Sequence, residues 1–452
     1  MAYTPPSVRV TSIANNRIIN ISENVRIPCI VGEGPSVRTV TDFPIVRGSG
    51  SIDVLPDSNI TLTVVSPYPG AATSYSNWSG HFSGSGSSAI SWSGSAGDTA
   101  PRDSEVYYVS YTYPVPTDQF DPQVFVDSKD IKAFYGAEST TSGKLTIAAD
   151  IALENGAPAV MCIQISGSAS VDANWSNALD KLKKKSNIAY VVPITAKSSV
   201  QNLAVAHCEY ESNPDIGHER ECIFGGDATV TDVNDFVAKA GAFANKRVIL
   251  VAPNSGVTRT SSAGTAFVLD GSYISAALSG LITGQASPIK PVTGKQIVGF
   301  TIPNDQYEPY DMNRMAAAGI CVVYAKSGVT KVRHAITTDT ASADTREISV
   351  VAADDLVRRI TRNALTEAYI GKGIVISDST PAAVAATVKA IWSSLVRDGL
   401  INSYGTKNDP TTGEVPITAS QDPNEPTRIN VTGSVKFLYP LNYISVEFFI
   451  YV

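Results

Sequence analysis

AVMCIQI at residues 159–165 and IAYVVPI at residues 188–194 are near-continuous apolar runs of strand length. Segments with helical periodicity separate runs of this kind, and such an alternation is typical of a parallel sheet covered on both faces. We therefore predict an α/β domain over residues 126–340. Its further strands are expected at 247–252, 266–269, 297–302 and 319–324, and its helices at 145–155, 174–185, 232–245, 273–281 and 311–318.

The chain before this domain lacks the alternation of long apolar runs and helical segments. Residues 1–20 hold two prolines and a short alternating run through Val8 and Val10, so we expect an arm there rather than a unit with its own core. Residues 21–125 contain short β-favouring runs broken by Gly, Pro and Asn, which predicts a small β-rich domain. Within it, residues 80–97 are dominated by Gly and Ser, and we expect a mobile loop or a long hairpin.

Residues 341–438 predict a C-terminal α+β domain. An amphipathic helix is expected at 354–370. A second is expected at 380–399, which begins with a Thr-Pro pair suited to a helix start and ends at a glycine. Residues 429–437 alternate apolar and polar side chains, as one strand would.

The last residues, 439–452, are predicted to form a C-terminal arm strand. From residue 442 onward every second residue is apolar, which requires that one face of the strand be buried. An apolar strand left as an open edge promotes aggregation, so it must pair either within its own domain or with a neighbouring chain. On the pattern alone, both arrangements remain open.

The composition indicates a globular chain that inserts into no membrane and binds no nucleic acid. The 452 residues are 43% hydrophobic, and no apolar run approaches the roughly 20 residues of a membrane helix. A net charge of −7 argues against nucleic acid, because phosphate binding requires a basic surplus. Charged residues make up 17%, below the about 25% of typical soluble domains, which favours a surface buried against other chains. The N-terminus lacks the features of a signal peptide, so we expect a chain made and kept in a cytoplasm.

The sequence carries no motif of nucleotide binding or nucleophilic catalysis. None of its Gly-Lys pairs is followed by Ser or Thr, no G-x-G-x-x-G is complete and no G-x-S-x-G occurs. We expect no catalytic residue and no cofactor, although a Ser-His-Asp site that assembles only in the fold is left open. The basic run at 181–185 ends a predicted helix, where cations complement the helix dipole; a phosphate or acidic partner there is also left open.

His207, Cys208, His218 and Cys222 are the residues most suggestive of a metal site, since two His and two Cys can bind zinc. Their spacing matches no common zinc finger or ribbon. We expect a loop between them whose edge, residues 219–221, is solvated, and we predict no metal centre. All five cysteines are expected to be free thiols rather than a disulfide framework.

A succession of short phrases along the chain indicates a family. The phrases are IVGEGP at 30–35, GSYISAALSG at 271–280, PVTGK at 291–295, NRMAAAGI at 313–320, RHAITTD at 333–339, REISVV at 346–351 and AYIGK at 368–372. Their order, together with the two terminal arms, resembles the tail sheath proteins of contractile bacteriophages and related injection machines. The resemblance covers most of the chain from about residue 26.

The resemblance implies a small N-terminal β-domain, a central subtilisin-like α/β domain without the subtilase catalytic phrases, and a C-terminal domain with extended terminal arms. It implies a structural subunit, not an enzyme, that polymerises as stacked rings around a tail tube and contracts to drive the tube through a target cell envelope. The implied partners are other copies of the chain in hexameric rings, the tail tube protein, and the baseplate and tail terminator proteins. The implied location is a virion tail assembled in the host bacterial cytoplasm.

Within this family reading, the two arms are expected to add strands to neighbouring subunits. Helix 380–399 is the expected tube-facing element. Two other functions remain open, an α/β hydrolase-like enzyme and another self-assembling tube or shell protein. The residues expected to anchor strand addition are Val8, Val10, Ile444, Val446, Phe448 and Ile450.

Overall fold

The computed structural model describes residues 26–84, 86–115, 117–261, 264–442 and 445–447. The strands, in chain order, are β1 Ile27–Gly32, β2 Val37–Val46, β3 Ile52–Val54, β4 Thr61–Ser66, β5 Phe82–Ser83, β6 Ala89–Trp92, β7 Val106–Pro114, β8 Gln123–Phe125, β9 Val160–Gln164, β10 Ile188–Pro193, β11 Glu221–Phe224, β12 Val248–Ala252, β13 Val257–Thr260, β14 Ala266–Leu269, β15 Ile320–Lys326, β16 Val329–Val332, β17 Ser403–Tyr404, β18 Thr418–Gln421, β19 Ile429–Thr432 and β20 Val435–Lys436. The helices are α1 Ser128–Tyr135, α2 Lys144–Glu154, α3 Asp172–Leu182, α4 Ser198–Glu211, α5 Val233–Phe243, α6 Gly271–Thr283, α7 Pro309–Ala317, α8 Ala343–Arg346, α9 Ile348–Tyr369 and α10 Thr380–Arg397. None of the helices in these ranges is long and apolar enough to cross a membrane.

An eight-stranded, mostly parallel sheet forms the centre of the molecule. Its strand order is β16-β15-β12-β11-β10-β1-β9-β8, and only the edge strands β16 and β8 run antiparallel to their neighbours. One hydrophobic cluster packs α2 and α6 on one face, and a second packs α3, α4, α5 and α7 on the other. The predicted mixed α/β architecture with a mostly parallel sheet is therefore confirmed.

The helices of this region start where side chains can cap them. Asp232 accepts hydrogen bonds from the backbone N–H groups of Asn234 and Asp235 at the start of α5. Asp270 accepts one from Ser272 N at the start of α6. Such caps satisfy donors that the first helical turn leaves unpaired.

Two of the predicted strands are not strands of the large sheet. Residues 266–269 form β14, which pairs with β13 in a separate antiparallel hairpin. Residues 297–302 form no strand, although Ile297, Phe300 and Ile302 are buried. Gly299 has a φ of 93° there, which takes the backbone out of the extended region. Apolar side chains can thus be buried by a loop as well as by a strand.

Strand β1 lies in the middle of the large sheet rather than in the small β-rich unit. It pairs in parallel with β10 on one side and β9 on the other, and all six of its residues are buried. Burial on both faces is typical of an interior parallel strand. Strand β8 also belongs to this sheet, so both ends of the predicted 21–125 domain contribute to it. The small β-rich unit is an insertion between β1 and β8.

The inserted unit has its own core between two three-stranded antiparallel sheets, β2-β7-β4 and β3-β6-β5. Trp78, Trp92 and Tyr107 are buried there and contact one another edge to face. The Gly/Ser-rich segment 80–97 supplies β5 and β6 to this core, so of the two expectations for it, the hairpin agrees with the structure.

The C-terminal unit combines α9 and α10 with small antiparallel pairs. The expected single strand at 429–437 is divided into β19 and β20, which pair with β18 and β17 respectively. Gly433 lies at the break, where a Cβ atom would approach the ring of Trp392 to 3.0 Å. Of the predicted arm strand at 439–452, residues 439–442 and 445–447 are described, and they are not in a strand.

Candidate assembly interface

Helix α9 connects the large sheet to the C-terminal unit. Its first half is buried against the sheet, where Asp355 forms an ion pair with Arg247. Further along, Arg362 Nη1 donates to Glu219 Oε2 at 3.2 Å and to the carbonyl oxygen of Gly217 at 2.8 Å. The C-terminal unit is therefore attached through packed and charged side chains as well as through the chain itself.

The core of the C-terminal unit is small. Its buried members are Val357, Leu395 and Ile401, between α9 and α10. Trp392 lies at the margin, and its Nε1 donates to Thr361 Oγ1 at 3.1 Å. This cluster has three buried residues, whereas each cluster on the large sheet has more than twenty. The unit buries little apolar surface by itself.

Two separate two-stranded sheets complete the unit, β17 with β20 and β18 with β19. Each of these strands has one partner and one edge that pairs with nothing in the described part of the chain. Isolated two-stranded ribbons are marginally stable in water. Their open edges can accept a strand from another chain through main-chain hydrogen bonds.

A groove of about 920 Å³, lined mainly by apolar side chains together with Asp354, Arg358 and Arg362, lies between α9, α10 and the last two strands. A groove of this kind beside an open sheet edge can receive the apolar face of an added strand. Its apolar lining includes Val357, Leu365, Val388, Trp392, Val431 and Phe437.

After β20, the chain returns to the large domain before the C-terminal arm begins. The hydroxyl of Tyr439 donates to the Asp344 carboxylate, which raises the pKa of Tyr439 to about 12. Asn442 Nδ2 lies 3.2 Å from Glu347 Oε1 and 3.1 Å from His334 Nε2. Residue 442 is thus a fixed point from which the arm starts.

Most of the predicted strand-addition residues lie outside the described residues. Val446 is described, and it is 78% exposed. Leu441, near the start of the predicted arm, is 80% exposed. Strand addition by the arms therefore stays a prediction. The residues outside the described part are Val8, Val10, Ile444, Phe448 and Ile450.

The hydrogen bonds that anchor Tyr439 and Asn442 were not predicted from the sequence. The segment between the two alternating runs reads Tyr-Pro-Leu-Asn, which marks an interruption between strands. Its hydrogen-bond partners lie about a hundred residues earlier in the chain. No local pattern could have identified them.

Of the four residues that resemble a zinc site, Cys208 and Cys222 contact each other, whereas the two histidines face other partners. Arg220 is buried, with Nη1 3.2 Å from His207 Nε2 and Nη2 3.3 Å from Glu211, which also contacts His218 Nδ1 at 3.0 Å. Burial, together with the Arg220 charge, lowers the pKa of His207 to about 3, so its ring is neutral. The described residues contain no group of three or more His, Cys, Asp or Glu arranged to hold a metal ion. The buried free thiols are Cys29, Cys162, Cys208, Cys222 and Cys321.

Residues 219–221 were expected to be solvated, and this is wrong. All three are buried, because β11 begins inside the molecule against α9. The basic run at 181–185 is partly paired nearby: Lys181 contacts Asp121 at 2.9 Å and Lys183 contacts Asp180 at 2.7 Å.

The position where open parallel sheets usually bind ligands is occupied by hydrogen-bonded side chains. It lies at the carboxyl ends of β1, β9 and β10, where the strand order reverses. Gln164 donates to the carbonyl of Pro35 at 2.8 Å and accepts from Gln119 Nε2 at 3.2 Å. Gln119 is buried and accepts from Arg38 Nε at 2.6 Å. None of these groups is a nucleophile, so this arrangement offers structural contacts and no catalytic pair.

The chain is similar to the tail sheath protein of Mycobacterium phage Bxz1, with 29% identity over 354 residues. The chain therefore resembles contractile tail sheath proteins in sequence. The match covers 76% of this chain and 58% of the phage protein, so it spans less than two thirds of that relative. No family model matches the chain. This match confirms the resemblance drawn from the sequence.

Solved structures share the fold of this chain. The helical sheath of the anti-feeding prophage (AFP) in its contracted state has a TM-score of 0.59 and 10% identity, over 99% of both chains. A chain in the six-fold symmetrised AFP baseplate has a TM-score of 0.58 and 13% identity, over 75% of this chain and 90% of that one. The PVC sheath complex of an extracellular contractile injection system in its contracted state has a TM-score of 0.55 and 12% identity. That match covers 73% of this chain and 86% of the PVC chain. At these identities the similarity shows the fold alone.

Proposed function

We propose that the chain is a structural subunit of a contractile tail sheath. It polymerises as stacked, hexameric rings around a tail tube and contracts to drive the tube through a target cell envelope. The observation that carries the proposal is the 29% identity with a phage tail sheath protein over most of this chain. The shared fold with contracted sheaths supports it.

The proposed architecture refines the fold. The large sheet with helices on both faces is assigned to a subtilisin-like domain, with its boundaries near residues 126 and 340 and with β1 and β8 added. The inserted β-rich unit is the small domain, and residues 341–438 form the C-terminal domain. Residues 1–20 and 439–452 are the arms, and α10 is assigned to the surface that faces the tube.

The proposed link between subunits is strand addition at the C-terminal unit. Its two-stranded sheets have open edges and border the apolar groove, so the unit is incomplete as a monomer. The C-terminal arm starts from the anchor at Tyr439 and Asn442 and alternates apolar side chains from there. The arm of one subunit therefore fits the groove and sheet edge of another, with Val8 and Val10 of the N-terminal arm acting likewise.

The proposed partners follow from the same assembly. Other copies of the chain, the tail tube protein, the baseplate and the tail terminator would surround each subunit in a virion tail built in the bacterial cytoplasm. A chain of this fold in an AFP baseplate structure supports the baseplate contact. During contraction the arms would remain paired while the subunits move as rigid bodies.

Matched arm variants test the proposal. Val446→Asp with Phe448→Asp places two charges on the apolar face of the arm, and Ser445→Asp with Phe449→Asp places two on the opposite face. Electron microscopy should show that the first variant, like deletion of residues 443–452, remains folded and forms no tubes, whereas the second still assembles. Normal tubes from the first variant or from the deletion would refute strand addition.

A further inference from the structure

A cavity lies at the amino-terminal edge of the large sheet, between β1, β10, α6 and α9. Its volume is about 360 Å³, within the roughly 300–1,000 Å³ of small-molecule sites. Its lining contains two arginines, Arg26 and Arg359, and no carboxylate of the described residues. The rest of the lining is mainly small or apolar, with Tyr190, Thr283 and Gln285 as polar members.

Arg26 is held in place at this cavity. Its Nη2 donates to the carbonyl oxygen of Ile188 at 2.7 Å and to that of Glu219. Its buried Nε has no hydrogen-bond partner within the described ranges. Both acceptors are neutral carbonyls, so they orient the guanidinium without matching its charge.

Arg359 enters the cavity from α9. Unlike its neighbour Arg358, which pairs with Asp354 at 2.9 Å, it makes no hydrogen bond or ion pair to the part of the chain that the structure describes. Burial, together with the charge of Arg26, lowers the pKa of Arg359 to about 10. Glu219 and Asp355 act on this guanidinium through their charge alone.

The neighbouring carboxylates are engaged by other cations or are uncharged. Glu219 binds Arg362, and Asp355 binds Arg247. Glu221 is deeply buried, and burial with the nearby Asp355 charge raises its pKa to about 8, so it is mainly protonated at neutral pH. Two guanidiniums thus face the cavity, and no carboxylate among the described residues pairs with both of them or lines the cavity.

We propose that this cavity is a binding site for a small oxyanion, a phosphate or an organic carboxylate, held between the guanidiniums of Arg26 and Arg359. Guanidinium groups bind the oxygens of both anions through paired N–H donors. The bound anion links the start of β1 to α9 and so to the C-terminal unit. The site requires no partner chain and does not depend on sheath assembly.

Calorimetric titration of inorganic phosphate into the full-length protein, at fixed ionic strength, tests the site. We expect saturable binding with one site per chain, displaced by citrate, and binding weakened at least tenfold in both Arg26→Gln and Arg359→Gln. Arg397→Gln is the matched control, because the Arg397 side chain lies on the surface of α10 and is 77% exposed. Wild-type protein that shows no saturable binding, or cavity variants that bind as tightly as wild type, would overturn the proposal.

Thermal unfolding gives a second readout if a cavity variant folds poorly in bulk. Phosphate stabilises most proteins by exclusion from their surfaces, so the informative quantity is the difference between variants. Phosphate should raise the Tm of wild type and of Arg397→Gln more than that of Arg359→Gln. Equal increases in all three proteins would count against the site.

Discussion

Glu219 and Glu221 lie two residues apart at the start of β11 and have opposite environments. Burial and the neighbouring Asp355 raise the pKa of Glu221 to about 8. For Glu219, burial also raises the pKa, but the hydrogen bonds it accepts and the charges of Arg362 and Arg26 together outweigh burial and lower it. From the sequence, residues 219–221 were predicted to be exposed to solvent, because three consecutive charged residues are typical of a surface loop. The partners that permit burial, Arg362 and Arg247, come from distant segments, so no local signal could reveal them.

We predict that Glu221→Gln stabilises the fold at neutral pH by roughly 1–3 kcal/mol. The folded pKa lies above the ordinary 4.5, so stability from the protonated group is complete below about pH 4.5 and is lost as pH rises to about 8. The amide keeps the shape of the protonated carboxyl and does not ionise. Denaturant unfolding between pH 4 and 8 should show a smaller decline for the variant.

Glu219→Gln is the matched control, and we expect it to destabilise the fold at neutral pH. The lowered pKa of Glu219 means that its contribution is present above its ordinary pKa and is lost as pH falls. Removing the charge leaves Arg362 without its carboxylate, which should cost about 1–3 kcal/mol at neutral pH. If Glu221→Gln and Glu219→Gln changed the free energy of unfolding equally at neutral pH, the opposite pKa shifts of the two carboxyls would be contradicted.

Among the elements, α6 is the helix most completely enclosed, with Gly271 through Ile282 all buried. Its small residues allow close contact with α2: a Cβ atom at Gly280 would overlap the carbonyl oxygen of Ala152. Backbone at that distance cannot yield as a side chain can. The sequence predicted the helix correctly but could not show which of its faces meets another backbone.

We predict that Gly280→Ala destabilises the protein by about 1–3 kcal/mol through overpacking, despite the better helix propensity of alanine. Gly241→Ala in α5 is the control, because nothing lies within 4 Å of a Cβ there. It should stabilise by roughly 0.5–1 kcal/mol. Thermal unfolding of the two variants measures both changes in stability. Stabilisation by both substitutions would refute the close contact between Gly280 and Ala152.

Element type proved easier to predict than pairing. The four apolar runs that became β9, β10, β12 and β15 were identified because strands buried on both faces lack polar residues. Run 297–302 has the same composition and forms a loop, since burial does not require an extended backbone. The groove and the Tyr439 anchor of the assembly interface depend on contacts between distant segments, which alternation within one strand does not encode.

At the scale of the whole molecule, the β-rich unit is an insertion whose two ends meet. Val115 N lies 3.5 Å from Ser36 O, and Val37 pairs with Pro114 at the stem. The end of β1 and the start of β8 flank β9 at the same edge of the sheet. The end of β1 and the start of β8 therefore lie roughly 10 Å apart, which is twice the spacing of neighbouring strands.

We therefore predict that residues 37–114 can be replaced by a short glycine linker with retention of the large sheet. The inserted unit has its own core, so residues 36–115 alone should also fold. Circular dichroism and cooperative thermal unfolding of both proteins test this. Loss of cooperative unfolding in the excised protein would show that the large domain requires the insertion.

The assembled state of the full-length chain is the most direct test of the central claim. Electron microscopy of the purified protein should show striated tubes, wider than a bare tail tube and built of stacked rings, because in the proposed assembly each C-terminal unit takes up an arm from a neighbouring copy. Monodisperse monomers with hydrolase activity would contradict the account.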